Sequence, residues 1–295
     1  MRQYSILEAP SVLGLWPSGV ERLPEALLAE GLRERLGAEH AGRVEPPPFD
    51  ATRDQRSGLL NPRAIADYSS TLADTIAGLL ERDRFPVVLG GDCSILLGGL
   101  LALRRRLRPG LLFLDGQADF YQPEAEPKGE AASMDLALAT GRGPAIVTDI
   151  EGRRPLVRDE DVVVLGFRDA EDAAEHGSQP LAPDIRALTL GDVRRLGAAA
   201  AARTALAHLT RNDGPDRFWI HVDADVLSDA IMPAVDYRMP DGLGWDELRT
   251  VLWAAATHPR AAGLELCIYN PALDPTRAGA RGLAGVLVSA LTERG

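Results

Sequence analysis

The segment Leu111-Leu112-Phe113-Leu114-Asp115-Gly116-Gln117-Ala118-Asp119-Phe120 decides how the rest of the chain is read. Four consecutive apolar residues mark a strand buried on both faces, the pattern of a parallel sheet. The apolar run stops at Asp115, and Asp119 follows four residues later. Desolvating a carboxylate without a partner is very costly, so a buried strand ending in two of them calls for positive charge nearby. A second stretch repeats the pattern: Phe218-Trp219-Ile220-His221-Val222-Asp223-Ala224-Asp225. Strand alternation would place Asp223 and Asp225 on one side, about 6–7 Å apart. Taken singly, each aspartate reads as a helix cap or turn residue. Four of them at two strand ends predict a divalent-metal site, or the remains of one.

Working outward, apolar runs and helical periodicity alternate along the chain. Strands are predicted at Tyr4–Leu7, Arg43–Phe49, Phe85–Leu89, Asp161–Leu165, Ile185–Leu190 and 263–267, beside the two already quoted. Helical spacing covers Glu21–Leu36, Arg63–Leu80, 192–209, 244–257 and 276–292. No repeat or linker-like break interrupts this order, so residues 1–295 are expected to form one α/β domain with a mostly parallel sheet and helices on both faces. The polar stretch 116–133 is too long for a simple connection and is a functional candidate.

Ligand sites in such sheets lie at the carboxyl ends of the strands. Cys93, Asp115, Asp119, Asp223 and Asp225 all fall there, on three different strands. Cys93 follows Gly90-Gly91-Asp92, which raises it above an ordinary small buried hydrophobe. His221 shares a side with Asp223 but lies deeper in its strand, and is expected to be a satisfied core histidine. Arg168 is expected to make a structural ion pair.

A net charge of −11 excludes a nucleic-acid partner as the leading reading and is compatible with a cationic substrate. Two cysteines are too few for a disulfide framework. The opening Met1-Arg2-Gln3-Tyr4-Ser5 lacks the apolar core of a signal peptide, and no run approaches a membrane span. A cytoplasmic protein is expected.

Gly90-Gly91-Asp92-Cys93, Asp115-Gly116-Gln117-Ala118-Asp119 and Asp223-Ala224-Asp225, in that order, resemble the three motifs of the arginase/agmatinase family of ureohydrolases. The Gly19-Val20-Glu21 opening and the Leu165-Gly166-Phe167-Arg168-Asp169 segment fit the same pattern. The resemblance implies a three-layer α/β/α sandwich, a trimeric or hexameric assembly, and hydrolysis of a guanidino or amidino C–N bond by metal-activated water. It assigns one metal to Cys93, Asp115, Asp119 and Asp223, and a second to Asp115, Gln117, Asp223 and Asp225. Asp119 would accept the proton.

Four positions depart from the family pattern. Cys93 and Gln117 stand where it has histidines, and Ile268 stands where it has a guanidinium-binding glutamate. The loop histidine that usually follows the second motif is also missing; the nearest residues are Ser133-Met134-Asp135. A thiolate is a softer ligand and tilts the expected preference from manganese toward zinc or iron. The amide of Gln117 is a poor ligand beside imidazole, so a weak or empty second site is expected. The alternative reading is an inactive homologue with a structural or regulatory role.

Overall fold

The computed structural model describes residues 2–292. Its centre is a single eight-stranded sheet: β1 (Tyr4–Ala9), β2 (Glu39–Arg43), β3 (Phe85–Gly90), β4 (Pro109–Leu114), β5 (Val162–Leu165), β6 (Arg186–Leu188), β7 (Arg217–Asp223) and β8 (Ala261–Cys267). The order across the sheet is β2-β1-β3-β8-β7-β4-β5-β6. Every neighbouring pair is parallel, a stricter arrangement than the mostly parallel sheet expected. Parallel strands need crossovers, and helices packed on both faces supply them. Helices Pro62–Glu81 and Leu96–Arg104 pack together on one face, while Ala198–Leu209, Trp245–Ala256 and Ala278–Thr292 form the other layer. The result is a three-layer α/β/α sandwich.

β3, β4 and β8 are buried along their whole length, which explains why they read as unbroken apolar runs. Edge strand β2 is exposed at both ends, and sequence pattern misplaced it: the strand is Glu39–Arg43, and 44–49 lies outside it. Those residues include Pro46-Pro47-Pro48, which have no backbone N–H to give a ladder. The helix expected over Glu21–Leu36 is divided into Leu23–Leu28 and Leu32–Leu36, because Gly31 takes φ 73° between them. The helix expected over 192–209 is divided at Gly197, φ 83°, into Leu190–Leu196 and Ala198–Leu209.

Two glycines set how closely the helical layer approaches the sheet. A Cβ on Gly99 would lie 2.6 Å from the Trp219 indole, and one on Gly263 would lie 2.4 Å from it. Trp219, fully buried, therefore sits between helix Leu96–Arg104 and strand β8. Among the described residues no helix is long and apolar enough to cross a membrane.

Candidate metal centre

The four central strands are β3, β8, β7 and β4, and the candidate residues all project from their carboxyl ends. The parallel register places them in rows. Leu111, Trp219 and Gly263 are in line, then Phe113, His221 and Glu265; Asp223 and Cys267 pair in the last row, with Asp115 one residue past Leu114, the partner of Val222. Side chains two apart share a face. His221 and Asp223 therefore lie on the face that Trp219 presents to helix Leu96–Arg104. A one-residue slip in register would send the whole set to the opposite face.

Cys93 opens a tight turn, Cys93–Ile95, just past β3. Asp92 fixes that turn by accepting from the Ser94 amide at 2.8 Å and the Ser11 hydroxyl at 2.9 Å. Gly91 is required there, since a Cβ would lie 1.8 Å from the Ser11 carbonyl oxygen. The Cys93 thiol donates to Asp223 Oδ2 at 3.0 Å. Asp223 Oδ1 accepts from the Asp225 amide at 2.7 Å. Asp225 is not on the strand as alternation suggested: β7 ends at Asp223, and Asp225 lies in the turn Ala224–Val226. Its Oδ1 accepts from the Gly116 amide at 3.0 Å. Asp115 Oδ1 accepts from the Gln117 amide at 2.7 Å, while Asp115 Oδ2 is buried without a partner.

The floor of the chamber holds residues that pattern alone did not bring to the site. His221 is fully buried, stacks on Phe113 with ring centroids 4.5 Å apart, and shares a hydrogen bond between Nδ1 and Glu265 Oε1 at 2.8 Å. Its Nε2 has no hydrogen-bond partner, so it is only half satisfied. That nitrogen lies 3.9 Å from Asp115 Oδ2 and 3.9 Å from Asp135 Oδ2. Asp135, fully buried at the start of helix Asp135–Ala139, has both carboxylate oxygens unpartnered. Cys267 Sγ lies 3.9 Å from His221 Nδ1. The signal for Asp135 in the sequence is a lone acid inside the apolar run Met134–Ala139; for Glu265 and Cys267 it is a register that single-strand patterns do not carry.

Buried acidic groups in the chamber outnumber its one imidazole. Burial, and then mutual repulsion, holds the carboxyls of Asp115, Asp119 and Asp223 well above the usual carboxylate range. Burial does the same to Asp135 and to the Cys93 thiol. Burial alone would lower the His221 pKa, but Cys267, Glu265 and Asp135 outweigh it and hold the imidazole well above its ordinary value. For Cys267 burial is outweighed by Cys93 and His221, and its pKa falls.

Three groups of donor atoms converge within 4.8 Å among the described residues: Cys93 with His221 and Cys267, Cys93 with Asp119 and Asp135, and Asp115 with His221 and Asp223. Of the sequence candidates, Cys93 and Asp119 fall in one of these groups and Asp115 and Asp223 in another, linked by the Cys93–Asp223 hydrogen bond, and the unpartnered Asp115 Oδ2 suits a cation. Asp225 belongs to none of these groups. Gln117 is partly exposed and lines an open cleft of about 330 Å³ above the chamber. Asp119 lines the same cleft and so borders both spaces; it takes φ 43°. Lys128 and Tyr237 form part of the rim and bond to each other, and Tyr237 donates to Glu130. Among the described residues Arg168 makes no ion pair; it donates to the main-chain carbonyls of Asp225 and Pro240. A larger hollow of about 940 Å³ lies at the amino ends of the strands, beside Arg2, Tyr4 and Arg84, and among the described residues no acidic side chain lines it.

The Arginase family profile matches residues 3–292. The chain belongs to the arginase family. An arginase from Bacillus caldovelox is 29% identical over 282 residues, 93% of each chain. The solved structure of Bacillus caldovelox arginase superposes with a TM-score of 0.88 at 28% identity, covering 100% of this chain and 99% of that one. Proclavaminate amidino hydrolase from Streptomyces clavuligerus shares the fold, with a TM-score of 0.71 at 18% identity over 99% of this chain and 90% of that one. Against the arginase-family pattern, Ile268 stands out in this structure. It is a buried β-branched residue at φ 68°, a conformation strained for such a side chain, and its amide donates to the Gly91 carbonyl at 2.9 Å.

Proposed function

We propose that this arginase-family chain is a metal-dependent ureohydrolase-type enzyme that cleaves a C–N bond of a small cationic guanidino or amidino compound and releases urea or an analogue. The observation that carries this reading is the pair of donor groups, Cys93 with Asp119 and Asp115 with Asp223, linked by the Cys93–Asp223 hydrogen bond in a buried chamber that opens through Asp119 onto a cleft. A divalent cation bound there would acidify a water and supply hydroxide at neutral pH.

The remaining steps fall to the chain's own side chains. Asp119, at the border of chamber and cleft, accepts the proton released as water attacks, and can return it to the departing amine. Asp172, which lines the cleft with Asp119, favours a cationic substrate over an anionic one. Lys128 and Tyr237 on the rim can meet a polar or anionic tail of the same molecule. Cys93, hydrogen-bonded to Asp223, favours zinc or iron over manganese.

The test is a urea-release assay on metal-reconstituted protein over a panel of guanidino and amidino compounds, with each metal supplied separately. Turnover of at least one compound, abolished by chelator, supports the proposal. No urea and no amine release from any compound with any metal overturns it.

A further inference from the structure

We propose that His221 and Asp135 are metal ligands in this chain, holding a zinc-class cation with Cys93 and Asp115 at a position set one row deeper than the three sequence motifs. The inference deepens the preceding proposal only in assuming that the chamber binds a cation; it makes no use of the hydrolytic chemistry.

The His221 imidazole has one satisfied nitrogen and one idle one. His221 Nδ1 is engaged by Glu265 at 2.8 Å, and Phe113 stacks on the ring at an interplanar angle of 8°. A histidine oriented by a carboxylate on one nitrogen presents the lone pair of the other, the usual arrangement around a protein-bound metal. Nε2 is fully buried and unpartnered, and it faces two carboxylate oxygens that are also unpartnered, Asp115 Oδ2 and Asp135 Oδ2.

A shared proton does not account for this geometry. A proton on Nε2 would draw one carboxylate to about 2.8–2.9 Å. Both stand off equally at 3.9 Å. A tetrahedral zinc with bonds of about 2.0–2.1 Å keeps nitrogen and oxygen donors roughly 3.3–3.4 Å apart, so the observed spacing needs to contract by only about half an ångström around an ion. Cys93 supplies a neighbouring donor, since its sulfur comes within 4.8 Å of a His221 ring nitrogen in one group and of an Asp135 oxygen in another. One thiolate, one imidazole and carboxylates make a donor set for zinc or ferrous iron rather than for an ion that prefers oxygen alone.

The arrangement also explains a compensation. Gln117 and Cys93 replace the histidines that the resemblance to the family implies. Of the five histidines in the chain, His221 is the one that is fully buried, and it rises from β7 directly beneath Asp223.

The experiment uses the full chain stripped of metal and titrated with zinc, manganese and cobalt separately. X-ray absorption of the zinc-loaded wild type is expected to show a mixed sulfur, imidazole and oxygen shell, and the cobalt form a sulfur-to-metal charge-transfer band. Cys93→Ser should abolish that band, and His221→Gln should weaken zinc binding at least tenfold, while His208→Gln, at a partly exposed position, leaves both nearly unchanged. A shell of oxygens alone, or undiminished zinc affinity in His221→Gln, overturns the proposal. Should His221→Gln fail to fold, the absorption spectrum of the wild type decides by itself. A zinc site of this composition without urea release would sink the hydrolase reading and leave this one standing; urea release with an all-oxygen shell would do the reverse.

Discussion

His221 and Glu265 face each other across the β7–β8 register, Nδ1 to Oε1 at 2.8 Å, with both side chains fully buried. The pair is unusual in a sheet interior, because the second atom of each group, Nε2 and Oε2, has no hydrogen-bond partner. It fixes the ring so that Nε2 looks along the sheet toward Asp115 and Asp135.

Glu265→Gln should therefore loosen the ring without removing a ligand. Loss of such a supporting carboxylate weakens metal binding by roughly 10–100-fold. Competition titration with a chromophoric chelator measures this, and an unchanged affinity would show that Glu265 serves only the core.

Asp119→Asn separates proton transfer from folding. Removing a positioned proton acceptor should lower turnover by about 10²–10⁴-fold. It also removes a carboxylate whose charge burial disfavours. The metal-free variant should melt no lower than the wild type, read by calorimetry beside the urea-release rate.

The metal-free protein should lose stability as pH rises. Asp115, Asp119, Asp135 and Asp223 have folded-state pKa values raised above their unfolded values, with burial the leading cause. The folded state thus binds more protons than the unfolded one above about pH 4, and unfolding free energy falls with increasing pH through that window. Melting of chelated protein should occur at higher temperature at pH 5.5 than at pH 7.5. Added zinc should raise the melting temperature more at the higher pH. A chelated protein that melts higher at pH 7.5 would contradict this.

Gly99→Ala tests the packing that holds β7 in place. Its Cβ would meet the Trp219 indole at 2.6 Å, with the opposite side of the ring against Gly263. Overpacking of this kind costs about 1–3 kcal/mol, more than the helix-propensity gain of up to about 1 kcal/mol over glycine. Denaturant titration should show a lowered midpoint with an unchanged slope.

Much of this architecture was legible because parallel strands leave unbroken apolar runs. Val162–Leu165 and Phe85–Gly90 declare themselves, and the aspartates that end β4 and β7 mark where the sheet opens. β2 was not legible, because an edge strand as exposed as Glu39–Arg43 has no apolar signature. The deeper half of the chamber was hidden for another reason. That His221, Glu265 and Asp135 meet depends on the β7–β8 register and on where the loop after residue 116 returns to the sheet, and neither is written in any local pattern. His221 alone reads as core, and Glu265 alone reads as a misplaced acid; only side by side do they read as a braced ligand.

The central claim is that the buried carboxylates, thiol and imidazole of this chamber enclose a cation. Anomalous diffraction from a crystal of the full chain grown with zinc tests it most directly. One strong peak per chain is expected, bounded by His221 Nε2, Asp115, Asp135 and Cys93. No peak in that chamber, with His221 Nε2 drawn into a direct hydrogen bond with Asp115 or Asp135, would contradict it.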